Sequence, residues 1–374
     1  MKIALVHDHL DQVGGAENVL KAFHEVFPDA PIFTLVYNSE TTGDFGKEMD
    51  IRTSFIQRIP GAKKHFKAFL PIMPTAIESL NLMDYDVVLS DSSAFSKGVI
   101  TRPETAHICY CHTPTRYLWH DTHDYTAEIP ANRVLKKILP FMLTQLRSWD
   151  KDASQRVDYF IGNSKTVSER IWKYYRRKSD VIHPPVSFSE FKPLPRDEIG
   201  DYFLIGGRFR PYKRFDLAIK VFNQIGVPLK IFGSGEEENN LRRIAGPNIE
   251  FIGPIGTEEK QELYSRAFAF LHPAEEDFGI TPLESMSFGR PVIAFGRGGA
   301  LETVQPGVTG EFFHEQCEKS FLHVLRNFNH RRYDPNVIRE HAMAFNEMRF
   351  KETIRNYVDE KWISHQKQYL HHKS

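Results

Sequence analysis

Two doubly wound α/β domains facing each other across a cleft are the fold class this sequence predicts. Three observations carry the reading. Short apolar runs alternate with longer amphipathic stretches, the alternation restarts after a proline-rich break, and 374 residues exceed what one compact core usually organises.

In the first half, Ile3–Val6, Ile32–Leu35, Val87–Ser90, His107–Tyr110 and Tyr159–Gly162 read as strands. Amphipathic spacing predicts helices over Ala16–Phe27, Val134–Asp152 and Lys165–Tyr175, with a weaker pattern at Glu78–Leu82. Pro184, Pro185, Pro193 and Pro195 then exclude a helix or central strand and predict a linker over 184–198. The second half repeats the scheme, with strands at Tyr202–Gly206, Pro228–Phe232, Ile249–Ile252, Phe268–Leu271 and Pro291–Phe295. Helices fit Phe215–Gln224, Glu236–Ile244, Glu258–Arg266 and Pro282–Phe288. The expected organisation is an N-terminal Rossmann-like domain over 1–183, the linker, a C-terminal Rossmann-like domain over 199–344, and a helical segment over 345–374 that packs back across the domains. Ligands of such sheets bind outside the carboxyl ends of the strands.

Lys plus Arg and Asp plus Glu both number 48, so net charge gives no argument for nucleic acid as a partner. Cys109, Cys111 and Cys317 are too few for a disulfide framework and suit a reducing compartment. Cys109, Cys111 and His112 lack a second ligand cluster and read as an apolar strand rather than a metal site. The first apolar run is too short for a signal peptide, and no stretch approaches a membrane span. The expected location is cytoplasmic, or peripheral at the inner face of the cell membrane.

The segment His272–Phe288, HPAEEDFGITPLESMSF, carries the most chemistry. A strand ends, a loop follows, and a helix opens near Pro282, so backbone N–H groups at Gly279, Ile280 and Thr281 form an anion site suited to a diphosphate. Glu276 and Glu284 flank this loop with seven residues between them and suit hydroxyl groups. The competing readings are a capping box from Thr281 to Glu284 and a solvated loop charge at Glu276. Gly206–Arg214, GGRFRPYKR, follows a strand and precedes a helix. Arg208 and Lys213 there can stabilise a departing diphosphate. Val13-Gly14-Gly15-Ala16-Glu17 opens a helix after the first strand, where paired glycines let the backbone approach phosphate. Asp84/Asp86 and Asp150/Asp152 have the spacing of a metal-binding Asp pair. The first leads into an apolar strand and the second lies on a helix, so both read as solvated charges and no metal cofactor is expected.

These residues together resemble the retaining glycosyltransferases of family 4, the group 1 class with the GT-B fold. Gly207-Arg208 with Lys213, Glu276 with Glu284 around Phe278-Gly279, Gly298-Gly299 with Glu302, and Gly307 with Gly310 carry the resemblance over most of 200–312; Gly14-Gly15 and Asn163-Ser164 also fit. Cys111–Trp119, CHTPTRYLW, looks like a stretch of mannosyltransferases in bacterial surface-polysaccharide assembly. The resemblance implies that Arg208 and Lys213 hold donor phosphates and that Glu284 binds ribose hydroxyls. It also implies that Glu276 touches sugar hydroxyls and that Phe278, Gly279 and Ile280 offer backbone, with Thr281 beside them. Gly14, Gly15 and Gly207 would approach the donor, and His112 would lie near the anomeric carbon. Asp277 departs from the glycine the family often has, and Thr281 from a proline.

The expected function is retaining transfer of a hexose, mannose from GDP-mannose, to a saccharide or lipid-linked saccharide acceptor. The alternatives are a UDP-sugar donor, a nucleotide-sugar epimerase, or a non-catalytic nucleotide-sugar-binding protein. Residues 52–73 mix Lys and Arg with apolar and aromatic residues, and Arg133, Lys136, Lys137 and Arg147 do so within 133–149. The first of these is the candidate for peripheral membrane contact.

Overall fold

A computed structural model describes residues 1–122, 133–188 and 192–373. The chain forms two units, Met1–Pro185 with Phe350–Ser374, and Val186–Arg349.

The first unit is built on a seven-stranded sheet of β1 (Ile3–His7), β2 (Ile32–Thr34), β3 (Ile51–Thr53), β4 (Val87–Ser92), β5 (Ala106–Cys111), β6 (Tyr159–Gly162) and β7 (Ser179–Val181). The strand order is β3-β2-β1-β4-β5-β6-β7, and every pairing is parallel. β4 and β5 are buried along their whole length, which is why they read as continuous apolar runs. The helix Gly15–Val26 buries Val19, Leu20, Phe23 and Val26 against one face of the sheet. The helix Arg133–Gln155 buries Leu139, Leu143 and Leu146 in a separate core with Val6 and Val88. The chain runs outward from β1 to β3 and returns to β4, so the topological switch falls between β1 and β4.

The chain re-enters this unit within the helix Glu347–Lys373. Phe350, Ile354 and Val358, spaced by four, bury one stripe of that helix in the core around Phe23 and Tyr110. The Phe350 and Phe23 rings stack with centroids 5.9 Å apart. Each such side chain contributes roughly 1.5–3 kcal/mol by leaving water.

The second unit has a six-stranded sheet of β8 (Phe203–Arg208), β9 (Leu229–Ser234), β10 (Ile249–Gly253), β11 (Phe270–His272), β12 (Val292–Phe295) and β13 (Gly310–Phe313). The order is β10-β9-β8-β11-β12-β13, again all parallel, with the switch between β8 and β11. One face carries a core around Tyr264, Phe270, Leu283, Met286 and Ile338. The other carries Ile219, Phe222, Phe313 and Phe321.

Three strands, β3, β7 and β13, lie outside the sequence expectation. The helix expected from Pro282 starts at Ile280. The weak pattern at Glu78–Leu82 is not a helix; the helix is Met73–Glu78, and Leu80 and Leu82 are buried beyond its end. Their apolar spacing records core contact rather than helical period. Val186, in the expected linker, is buried in the second unit's core and donates its backbone N–H to the Phe345 carbonyl at 3.2 Å. Residues 189–191 of that linker lie outside the described residues. Among the described residues, no helix is long and apolar enough to cross a membrane.

Candidate active site

In the second unit, β8 ends at Arg208 and its neighbour β11 ends at His272, so the loops after both leave the sheet at the switch point. This topology brings the basic loop and the 273–280 loop together. The Lys213 ammonium forms an ion pair with the Glu276 carboxylate, and both side chains are about 15% exposed. Glu276 is therefore not a solvated loop charge. The four cations of 208–214 divide by partner: Arg210 pairs with Glu236 at 2.5 Å, and Arg214 holds Asp216 at 3.1 Å and Gln316 at 2.9 Å. Arg208 is exposed at the strand end.

The helix Ile280–Ser287 opens at Gly279, whose φ of +86° is left-handed and whose place no side chain caps. Its first-turn amides carry the positive end of the helix dipole. His272 lies beneath this turn. A β-carbon on Gly279 would sit 3.3 Å from His272 Nε2, a buried nitrogen with no hydrogen-bond partner. Burial pushes His272 down to about 4; Glu276 opposes that shift and Lys213 adds to it, so the ring is neutral at pH 7. The Phe278 side chain is buried against Phe345, which leaves only its backbone for a ligand.

The capping-box reading of Glu284 is overturned. Its carboxylate receives hydrogen bonds from Lys260 Nζ at 2.8 Å and from the Tyr264 hydroxyl at 3.0 Å instead of tying back to Thr281. Neither partner was expected from sequence, although their spacing of four places both on one face of the helix Thr257–Arg266. Gly298-Gly299 also has a structural task. The Gly299 amide donates to the Glu276 carbonyl at 2.8 Å and so docks the loop that carries Glu276. Gly207, at φ +133°, passes its carbonyl close to Gly233, where a β-carbon would sit 1.9 Å away.

In the first unit, the helix Gly15–Val26 opens at Gly14, again without a side-chain cap. Gly14 has extended backbone there, and a β-carbon on it would meet Glu17 Oε2 at 3.2 Å. The ends of β1, β4 and β5 bring His7, Asp91 and His112 together. Asp91 is fully buried and opposes His7 in the β1–β4 pairing. Its Oδ2 bonds His7 Nδ1 at 2.7 Å, and its Oδ1 bonds His112 Nε2. Glu17 Oε1 lies 3.8 Å from His7 Nε2. Burial alone would depress the His7 pKa, but the bond to Asp91 and the nearby Glu17 carboxylate outweigh it and raise the group to about 10. Burial likewise opposes ionisation of Asp91, yet His112 and His7 hold its carboxyl below the usual range. Asp8, next along the chain, accepts four backbone N–H groups from Ser93 to Ser96 at 2.6–2.8 Å and pins the loop after β4. Sequence reasoning singled out His112 alone; the usable signal was His7-Asp8 at the carboxyl end of a strand.

Asp150 is a correction. It is not a solvated charge but is fully buried, bound to Lys97 at 2.6 Å, Thr115 at 2.7 Å, and Trp119 and Tyr175 at 2.7 Å each. Every one of its lone pairs is thereby used. Asp86 accepts the Lys2 backbone N–H at 2.6 Å. Cys109 and Cys111 pack with Val157, Phe160 and Val167, and burial pushes the Cys109 thiol up to about 12. Among the described residues, no three His, Cys, Asp or Glu side chains group so as to hold a metal ion.

Among proteins of known activity, the chain is 30% identical over 257 residues to the alpha-1,3/1,6-mannosyltransferase ALG2 of Saccharomyces cerevisiae, covering 54% of this chain and 48% of that protein. It is 29% identical over 180 residues to the O-antigen chain mannosyltransferase C of Escherichia coli, covering 44% and 47%. The chain thus spans about half the length of these two relatives. Among solved structures, sucrose-phosphate synthase of Thermosynechococcus elongatus superposes with a TM-score of 0.73 at 17% identity, over 97% of this chain and 100% of the other. Anabaena Alr3699/HepE in complex with UDP gives 0.69 at 16%, over 96% and 100%. Both show the two-domain GT-B fold. Residues 13–190 match the model of Glycosyltransferase Family 4 and residues 186–344 that of glycosyl transferases group 1, so nearly the whole chain is accounted for and it belongs to the group 1, family 4 glycosyltransferases.

Proposed function

We propose that the chain is a retaining mannosyltransferase that takes mannose from GDP-mannose and passes it to a hydroxyl of a saccharide or lipid-linked saccharide in surface-polysaccharide assembly. The observation that carries this is the second unit's switch point, where Arg208, the Lys213–Glu276 pair and the uncapped turn at Gly279 leave adjacent strands. Cations and helix amides there suit the diphosphate. Glu276 suits sugar hydroxyls, and Glu284, held by Lys260 and Tyr264, suits a ribose. In this mechanism the acceptor hydroxyl attacks on the face the diphosphate leaves, and a departing phosphate oxygen takes its proton. The enzyme supplies position and charge, with no metal cofactor. The mannosyltransferase names of the two relatives favour the sugar.

A panel of nucleoside diphosphates read by thermal unfolding tests the donor. GDP is expected to stabilise the protein most, by about 2.7 kcal/mol at a hundredfold excess over Kd. UDP selectivity would redirect the reading to a UDP-sugar, the donor class of the Alr3699/HepE complexes. Absence of any shift would remove the donor site itself.

Membrane contact at the cytoplasmic face belongs to the same proposal. In 52–73, Ile56, Ala62 and Phe66 point into the core, whereas Phe55 and Ile72 are exposed. On the helix Arg133–Gln155, Phe141 is 67% exposed and Ile138 48%. The side chains of Lys64, Lys67, Arg133 and Lys136 lie outside the described residues. Exposed aromatics beside cations suit an anionic bilayer. Flotation with phosphatidylglycerol vesicles should carry the wild type upward and leave Lys63→Glu/Phe141→Glu at the bottom; equal flotation of the two removes the contact.

A further inference from the structure

The buried group behind His112 is larger than a single side chain needs. Asp91 is enclosed completely and His7 is 3% exposed, yet both are polar and both sit at the ligand end of the sheet. A buried ion pair is a poor source of stability, because desolvation offsets most of its attraction. What such an arrangement does supply is direction. Asp91 accepts from two imidazoles at once, one on each carboxylate oxygen, and His7 is backed in turn by Glu17. Each ring is therefore fixed in rotation by its neighbour. His112 forms the outer end, with its side chain 14% exposed, while Asp91 within is fully enclosed.

We propose that His7 and Asp91 are positioning residues for transfer: they hold the His112 ring with Nε2 turned to Asp91 and Nδ1 presented as a hydrogen-bond donor to an oxygen of the substrate. The inference rests on the transferase reading above and adds two residues to it. The groups facing His112 are Asp91 from β4, His7 and Asp8 from the end of β1, and the Tyr110 ring from β5, edge-on at 5.3 Å; Glu17 stands behind His7. Burial opposes a charge on His112, but Asp91 overrides it and raises the ring's proton affinity, Asp8 adds to this, and a charged His7 works against it.

The two inner residues therefore act with opposite sign. Protonated His112 is the donor form, so activity falls as pH rises through its pKa. Asp91→Asn removes the carboxylate charge and should move this alkaline limb to lower pH by about 1–3 units. His7→Gln keeps a hydrogen-bonding group but removes the like charge, and should move the limb to higher pH. GDP release from GDP-mannose without acceptor gives the pH–rate profile. Histidine-labelled NMR of the whole chain, with the His112 signal assigned by its loss in His112→Gln, gives the ring titration directly. Shifts down in Asp91→Asn and up in His7→Gln are the expected result. A limb and a ring titration unmoved in both variants, or moved the same way in both, would overturn the proposal. If Asp91→Asn does not fold, the direction in His7→Gln decides alone. If the wild type releases no GDP at any pH, the donor reading fails, while the ring titration still decides whether His7 and Asp91 govern His112.

Discussion

Replacing Arg208 with Ala is expected to lower turnover about 100- to 1,000-fold, the usual effect of deleting one preorganised charge-stabilising donor. Arg208 stands exposed at the end of β8, outside both cores of the second unit, so its truncation opens no cavity in either core. Removing Lys213 also takes the ion-pair partner from a Glu276 that is only 14% exposed, which adds a structural cost to the catalytic one. Steady-state kinetics with a matched melting curve is the measurement. Near-normal turnover in Arg208→Ala would end the role assigned to this loop.

Gly299→Ala should damage both the fold and the site of the second unit through a single methyl group. Its β-carbon would lie 2.2 Å from Phe278 Cα and 2.3 Å from the Phe278 carbonyl oxygen. These are backbone atoms and cannot step aside as a flexible side chain would. Relief requires the 276–279 loop to move, and that loop carries Glu276 and caps the helix at Gly279. We expect a loss of about 2 kcal/mol or more in stability, comparable to overpacking a core. Nucleoside diphosphate binding should weaken with it by roughly tenfold or more, since about 1.4 kcal/mol of misplaced contact is a factor of ten. Gly307→Ala is the comparison. That residue has φ +74° but nothing within 4 Å of an added β-carbon, so it bears only backbone strain, about 1–2 kcal/mol, with diphosphate binding retained. Equal binding losses in the two variants would show that the contact with Phe278 is not what matters.

The interior of both sheets was legible because strands buried on both faces carry continuous apolar runs; Tyr159–Gly162 and the helix Lys165–Tyr175 fall where their residues place them. The missed strands β3, β7 and β13 are all sheet edges of three or four residues. With one neighbour each, they bury too little to write an apolar signature. The two loops that meet at the second unit's switch point stood out because the parts of each lie within a few residues of one another. His7 and Asp91 were not, since 84 residues separate them and only strand pairing makes them neighbours. Asp150 was misread for a related reason: the side chains that bury it come from 97, 115, 119 and 175, and a charge on a helix looks solvated until its partners are known.

The chain leaves the first unit at Pro185 and re-enters it at Phe350. During synthesis the later-encoded unit can be finished while the earlier one still lacks Phe350, Ile354 and Val358 from its interior. Until those residues emerge from the ribosome, Phe23 and Tyr110 face a gap where an aromatic ring belongs. A frameshift or proteolytic nick before Phe350 would thus injure the unit that was translated first.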